Sequence, residues 1–168
     1  MPSDEAKKKS VLLKTADGKI FQVEMPIAME FATVKSFFEE NSDASAESVE
    51  MPLPNVSADA LSNIITYCKR SLDLRAKAAS DNEVNALNAE FVKKHNIETL
   101  RDILVAANYL DIKPLLDLLC SEIADRIKNK SVEFVRTFFG IENDYTEEEE
   151  ARLRQQNAWA FEGVDPDD

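Results

Sequence analysis

The chain has 168 residues, a length that suits one domain with an appendage better than two full domains. Hydrophobic residues make up 44% of the chain, and its net charge of −12 would repel a phosphate backbone, so nucleic acid is excluded as an expected partner. No apolar run is long enough to span a membrane or to serve as a signal peptide behind the basic residues 7–9, so we expect no membrane association.

The chain has two cysteines, Cys68 and Cys120, and both fall on apolar stripes of predicted helices. This placement favours two buried thiols, because a disulfide framework needs a different number and spacing of cysteines. We therefore expect a reducing location, in the cytoplasm and nucleus.

The chain begins with a polar segment, residues 1–9, that we predict to be disordered. Two short strands follow, at 11–14 and 20–23. Asp17 and Gly18 lie between them, and glycine tolerates the positive φ of a tight turn. The sequence thus predicts a β-hairpin at the start of the fold.

Beyond the hairpin, residues 27–40 are typical of one or two short helices, with Thr33 as a candidate N-cap. Residues 41–48 are small and polar, which predicts a loop. Residues 49–53 can form a strand. Because Pro52 has no N–H to donate, this strand is predicted to lie at an edge of the sheet.

The next predicted helix begins at Ser57, a residue type suited to an N-cap. Apolar residues then repeat at helical spacing and form one face: Leu61, Ile64, Ile65 and Cys68. The pattern fades near Leu74. The polar residues 75–85 predict a mobile insert.

From residue 86 onward the sequence is almost entirely typical of helices, first over Ala86–Lys94 and then over Glu98–Tyr109. Pro114 suits the first turn of a further helix. Two apolar rows run along that helix: Leu115, Leu119, Ile123 and Ile127, and beside them Leu116, Cys120 and Ala124. So broad an apolar face predicts a central helix packed on two sides.

Two short helices are predicted near the C-terminus. Ser131 can cap the first and Gly140 can close it. Thr146 can cap the second, and Glu149 three residues later completes a capping box. Residues 163–168 form an acidic tail.

The second of these helices is too polar to bury much of its own surface, yet large apolar side chains flank it. They are Phe138, Phe139, Ile141 and Tyr145 before the helix, and Trp159 and Phe161 after it. Two interpretations follow from the pattern alone. The side chains can pack on one another as a satellite core, or they can form a surface for a partner protein.

The sequence contains no pattern typical of catalysis. His95 is the only histidine and lies in a polar stretch, which favours a surface residue over a metal ligand or a triad member. With only three glycines, at positions 18, 140 and 163, no phosphate-binding loop is expected. We therefore predict no enzyme activity, no cofactor and no metal.

Several separated motifs resemble one family, over roughly residues 10–162. They are PLPNV at 52–56, AANYLDIK at 106–113, LLDLLC at 115–120, ENDYTEEEEARLR at 142–154 and QQNAWAFE at 155–162. Together they resemble the S-phase kinase-associated protein family, the F-box-binding adaptors of SCF ubiquitin ligases. The ending WAFE is more similar to plant members than to animal ones.

The resemblance implies an α+β fold: a BTB/POZ-type domain over 10–128, followed by two extra helices within 129–162. It implies an adaptor that bridges a cullin and an F-box substrate receptor for ubiquitin-dependent degradation. Asn108 and Tyr109 match positions that contact the cullin N-terminal region. The implied F-box contacts are Leu116, Cys120, Ile123, Ile127, Ile141, Tyr145 and Trp159. A weak homodimer of the free chain is a further expectation.

The sequence also departs from the family. Ser131–Phe134 stands where members usually carry Thr-Pro-Glu-Glu, which suggests a divergent paralogue with an altered F-box repertoire. Two alternatives remain. A relative of the elongin C type would lack helices such as those in 131–161, so their presence argues against it. A scaffold that acts outside the cullin ligase would be distinguished by its failure to bind a cullin.

Overall fold

A computed structural model describes residues 10–41 and 50–165. The predicted disordered segment 1–9, most of the predicted loop 41–48 and the end of the predicted tail 163–168 lie outside the described residues. The chain forms two compact units, Met1–Ser121 and Glu122–Asp168, called here the N-terminal and C-terminal units. The division falls inside a helix, ahead of the domain boundary expected between residues 128 and 129.

The described residues of the N-terminal unit include a three-stranded sheet of β1 (Ser10–Thr15), β2 (Ile20–Glu24) and β3 (Glu50–Leu53) in the order β2-β1-β3. Strands β1 and β2 are antiparallel, whereas β3 runs parallel to β1. Gly18 has φ 81° and its N–H donates to the Thr15 carbonyl at 2.9 Å. The predicted hairpin and the edge position of the third strand are both confirmed.

Six helices begin among the described residues of the N-terminal unit: α1 (Met25–Ala28), α2 (Ala32–Glu40), α3 (Ala58–Ala76), α4 (Asp81–Lys94), α5 (Ile97–Leu110) and α6 (Lys113–Ile127). Helix α3 packs against α1, α4 and α5 and is the centre of this unit. Phe31, Leu61, Ile64, Leu100 and Ile103 are all fully buried. Burial of each such side chain contributes roughly 1.5–3 kcal/mol, so this core is the main source of stability.

The start of α3 is confirmed at the predicted cap. Ser57 Oγ accepts a hydrogen bond from the Ala60 N–H at 3.2 Å. Asp17 Oδ1 accepts from the Ala58 N–H at 2.9 Å, so the hairpin turn also satisfies a donor at this helix end. Hydrogen bonds from Thr15 and from backbone N–H groups lower the pKa of Asp17.

The insert predicted over 75–85 is wrong in secondary structure, because α3 continues to Ala76 and α4 already begins at Asp81. Ser80 forms a capping box with Glu83: the serine Oγ accepts from the Glu83 N–H, and the glutamate carboxylate accepts from the Ser80 N–H at 2.8 Å. This cap starts α4 before the apolar pattern becomes visible at Ala86.

Thr33 is not an N-cap. Helix α2 begins at Ala32 with Phe31 at the N-cap position and no side-chain cap. The Thr33 hydroxyl instead donates to the Tyr109 carbonyl at 2.7 Å, which ties α2 to the end of α5. A long-range bond of this kind leaves no signal in the local sequence.

The prediction that α6 is a central helix packed on two sides is also wrong. Leu115, Leu119 and Ile123 of the first row are buried, as predicted. In the second row, Leu116 is half-buried and Cys120 is exposed, and Ala124 beyond it is exposed as well. The helix therefore covers one apolar row and leaves the other largely open.

The C-terminal unit contains the end of α6, then α7 (Val132–Phe139), α8 (Glu147–Gln156) and a 3₁₀ helix (Ala158–Phe161). Ser131 Oγ accepts from the Phe134 N–H at 3.0 Å, and Gly140 closes α7 with φ 65°. Thr146 and Glu149 form the predicted capping box. The starts of both helices are confirmed.

Candidate partner-binding sites

The predicted cullin-binding residues lie in the last turn of α5. Asn108 is exposed, and Tyr109 is half-buried with its carbonyl held by the Thr33 hydroxyl. Asp111 ends the helix in the left-handed conformation, with φ 54°. The end of α5 is therefore fixed from two directions, which positions Asn108 towards solvent.

Val105, one turn before Asn108, is 52% exposed and was not among the predicted contacts. The helical spacing of the sequence could have identified Val105 as exposed, because Leu100, Ile103 and Ala107 define the buried face of α5 and Val105 lies outside that face. Together Val105 and Asn108 give this end of α5 an apolar and a polar group, both accessible to a partner.

Four predicted F-box contacts, Leu116, Cys120, Ile123 and Ile127, follow one stripe of α6 at helical spacing. Their burial differs. Cys120 is exposed and Leu116 and Ile127 are half-buried, but Ile123 is only 3% exposed. Ile123 is thus a core residue in this structure, and only the other three offer surface to a partner.

The two cysteines are in opposite environments. Cys68 is buried as predicted, and desolvation, with a smaller contribution from the charge of Glu30, raises the pKa of its thiol to about 12. The prediction of a buried thiol is wrong for Cys120, which is exposed. Helical spacing showed that Cys120 shares a face with Leu116, but it could not show whether that face is covered.

The large apolar side chains of the C-terminal unit divide into two groups. The ring of Phe138 stacks on Phe134, with 6.2 Å between centroids, and meets Phe139 edge-on at 4.8 Å. Phe138 is 6% exposed and is the centre of a small satellite core, while Phe139 packs on it from a position that is 43% exposed. Phe134, a departure from the family pattern, is therefore part of the packing of α7, and Lys130 Nζ lies 5.3 Å from its ring.

The second group is the exposed apolar set, consisting of Ile141, Tyr145 and Trp159. Their exposed fractions are 57%, 50% and 74%. Large apolar side chains held in solvent are typical of surfaces that bind another protein. The satellite-core interpretation thus holds for the first group, and the partner-surface interpretation stays a prediction for the second.

Ion pairs connect α8 to α7. None of the ten described residues of α8 is buried. Arg136 Nη1 lies 3.0 Å from Glu150 Oε1, and Arg154 pairs with Glu133. The hydrogen bond from Arg136 is the largest of the effects that hold the pKa of Glu150 below its usual value.

The described residues contain no group of three side chains able to hold a metal ion. None of the described helices has the length and apolar composition that a membrane span requires. His95 was predicted to be a surface residue. It is half-buried at the end of α4, with its ring edge-on to Phe91 at 5.2 Å between centroids.

Two sequence profiles match the chain. The profile described as "Skp1 family, tetramerisation domain" matches residues 9–73, and the one described as "Skp1 family, dimerisation domain" matches residues 113–160. The first covers the sheet and most of α3, and the second covers α6, α7, α8 and most of the 3₁₀ helix.

Curated plant proteins resemble the chain over nearly its whole length. SKP1-like protein 1A of Arabidopsis thaliana is 41% identical over 162 residues, which cover 92% of this chain and 98% of that protein. SKP1-like protein 20 of Oryza sativa subsp. japonica is 39% identical over 180 residues, covering 96% and 100%. These matches confirm the resemblance and the fold class: the chain belongs to the Skp1 family, as a plant-like member with an α+β, BTB/POZ-type fold and C-terminal helices.

Proposed function

We propose that this protein is the adaptor subunit of an SCF-type E3 ubiquitin ligase, bridging a cullin and an F-box substrate receptor for ubiquitin-dependent degradation. Membership of the Skp1 family supports an SCF adaptor role in general. The observation that carries the finer proposal is the exposed apolar set of the C-terminal unit. Trp159, at 74% exposure, is the type of residue that most often dominates the affinity of a protein interface.

On the F-box side, we assign Ile141, Tyr145 and Trp159 as the main contacts. The three offer apolar area that a partner can cover without any opening of the core. The proposed contacts extend along α6 through Leu116, Cys120 and Ile127. Ile123 is buried and packs in the core beneath that helix.

On the cullin side, we assign Asn108 and Tyr109, joined by Val105. The polar amide of Asn108 and the apolar surface of Val105 match the mixed character of a non-obligate interface. The hydrogen bond of the Tyr109 carbonyl to Thr33 at 2.7 Å holds this surface in place before a partner arrives.

The proposed role is not catalytic. Ubiquitin transfer would be carried out by a RING protein and a charged conjugating enzyme that bind elsewhere in the ligase. The net charge of −12 disfavours nucleic acid, and we propose a reducing location, cytoplasm and nucleus, where Cys68 and Cys120 stay free thiols. A weak homodimer of the free chain belongs to the same proposal.

Calorimetric titration with a cullin N-terminal fragment tests the proposal against a scaffold that acts outside the ligase. The wild-type chain should bind both this fragment and an F-box domain. Asn108→Ala combined with Tyr109→Ala should weaken cullin binding by about 2 kcal/mol or more, roughly 30-fold, and leave F-box binding unchanged.

A matched control for this titration is Asn85→Ala, an exposed asparagine on α4. It should bind cullin like the wild type. Melting temperatures separate contact from folding, because Tyr109 is half-buried and its loss could destabilise α5. Failure of the wild-type chain to bind the cullin fragment, with F-box binding intact, would favour the scaffold.

A further inference from the structure

The segment that carries Trp159 is attached to the rest of the C-terminal unit mainly by charged and polar groups. Helix α8 precedes it, and all ten described residues of that helix are exposed or only half-buried. A helix of this length is marginal alone in water and cannot rely on its own propensity. Its position must therefore come from specific side-chain contacts.

Those contacts centre on Glu150. Its Oε1 lies 3.0 Å from Arg136 Nη1 of α7 and 3.6 Å from Arg154 Nη2 of α8. Its Oε2 accepts from Asn143 Nδ2, in the loop between the helices, at 3.3 Å. Arg154 also pairs with Glu133 of α7, so each helix contributes one acid and one base. Glu133, Arg136, Glu150 and Arg154 are called here the ionic latch.

The latch reaches the 3₁₀ helix through Arg154, whose guanidinium lies 4.9 Å from the ring centroid of Phe161. Beyond Trp159 there is a second polar tether. The Asp165 N–H donates to the Asn129 carbonyl at 2.8 Å, and the Asp165 carboxylate lies 3.1 Å from Lys130 Nζ. Trp159, the most exposed large apolar residue in the described chain, is thus held from both sides by polar groups.

We propose that the ionic latch positions Trp159 for its partner by fixing α8 and the 3₁₀ helix onto α7. The role towards a partner rests on the function proposed above, whereas the fixed position of Trp159 in the free chain does not. The latch residues are positioning residues, and the apolar contact itself belongs to the exposed apolar set.

Two consequences distinguish a latch of charges from an apolar contact. Partly exposed ion pairs weaken as the Debye length falls from about 10 Å at 0.1 M salt to about 3 Å at 1 M, so salt should loosen the segment. Acid should do the same. Because Arg136, Asn143 and Arg154 all lower the pKa of Glu150, its contribution is complete above the ordinary pKa of 4.5 and is lost as the pH falls through the lower, folded value.

The test uses the free, full-length chain, in which Trp159 is the only tryptophan and therefore a native probe. Glu150→Gln should lower the fluorescence anisotropy of Trp159 and reduce amide protection across 147–161 by about threefold, a factor typical of exposed pairs. Arg136→Gln should do the same. The double variant should lose little more than either single one, because both remove one shared interaction.

The matched control is Glu122→Gln. Glu122 pairs with Arg126 at 2.7 Å within α6, and its side chain is 26% exposed against 25% for Glu150. The control removes the same charge from the same unit, at an ion pair whose two members both lie on α6. If Glu150→Gln and Glu122→Gln give the same anisotropy and the same protection, the latch does not hold the segment and the proposal fails.

An F-box titration of the same variants then tests the positioning role. Greater mobility of Trp159 together with a roughly threefold loss of affinity supports it. Greater mobility with unchanged affinity overturns it. If the wild-type chain does not bind an F-box domain at all, the proposed function fails, whereas the mobility measurements still establish the latch.

Discussion

The N-terminal unit buries most of its large apolar side chains, whereas the C-terminal unit leaves several of its own exposed. Phe31, Leu61 and Leu100 are fully buried in the first, while Ile141 and Trp159 are more than half exposed in the second. Helix α3 is held by apolar packing on three helices, but α8 is held by ion pairs. The comparison teaches that the core of the first unit is stabilised by apolar burial, whereas the end of the second unit relies on ion pairs and leaves large apolar side chains in solvent.

The largest expected effect comes from the core of the N-terminal unit. Phe31→Ala should lower the free energy of unfolding by about 3–5 kcal/mol, since it leaves a cavity in a packed interior. Urea denaturation measures this. Phe139→Ala, which removes the same ring from a site that is 43% exposed, should cost far less. Equal losses of unfolding free energy would contradict the difference in apolar packing between the two units.

Trp159→Ala should show the reverse balance. We expect a loss of about 2 kcal/mol or more in F-box affinity, because a buried interface tryptophan is a frequent hot spot. The free energy of unfolding should change by only about 0.5 kcal/mol, since the ring is 74% exposed in the free chain. Titration and urea denaturation give the two quantities.

The fluorescence of Trp159 offers an independent check on this prediction. Its emission should shift to the blue when an F-box domain covers the ring. An unchanged spectrum, together with a strongly destabilised alanine variant, would place Trp159 in a core and contradict the assignment.

The smallest effects concern helix caps, which occur in both units. Ser57→Ala and Thr146→Ala each remove a side-chain acceptor at an N-cap and should each cost about 1 kcal/mol of helix stability. The consequences should differ. Loss of the Ser57 cap should lower global stability, because α3 is central to its unit, whereas loss of the Thr146 cap should affect amide exchange only around α8. Global destabilisation by Thr146→Ala would mean that α8 contributes to the core.

Local chemistry made much of the fold predictable. The Asp17–Gly18 turn and the caps at Ser57, Ser131 and Thr146 were all identified from residue type and spacing. These features depend on neighbours within four residues, so the sequence contains all the information they need.

The wrong predictions concern features that depend on contacts between residues far apart in the sequence. The Thr33 hydroxyl bonds to a carbonyl 76 residues away, which no local pattern reveals. The second apolar row of α6 was predicted to be covered, but periodicity shows only which residues share a face. The insert at 75–85 is a different case. Ser80 and Glu83 have the spacing of a capping box, which is a local signal for a helix start, but the polar composition of the segment favoured a loop.

For the candidate sites, too, the sequence identified individual residues but not their burial or their long-range contacts. Asn108 and Trp159 came from the family resemblance and lie at the surface, which is consistent with their proposed roles without testing them. Ile123 came from the same resemblance and is buried. The ionic latch was not anticipated, because Glu133 and Arg154 are far apart in sequence and only the pairing of α7 with α8 brings them together.

The contrast between the two cysteines makes the natural chain suitable for spectroscopy without engineered residues. At neutral pH the buried Cys68, with its thiol pKa raised to about 12, should resist maleimide reagents, while the exposed Cys120 should accept one. A dye on Cys120 would be an acceptor for energy transfer from Trp159, the sole indole donor. One labelling reaction would thus equip the unmodified free chain with a donor and an acceptor for energy-transfer measurements, without any substitution.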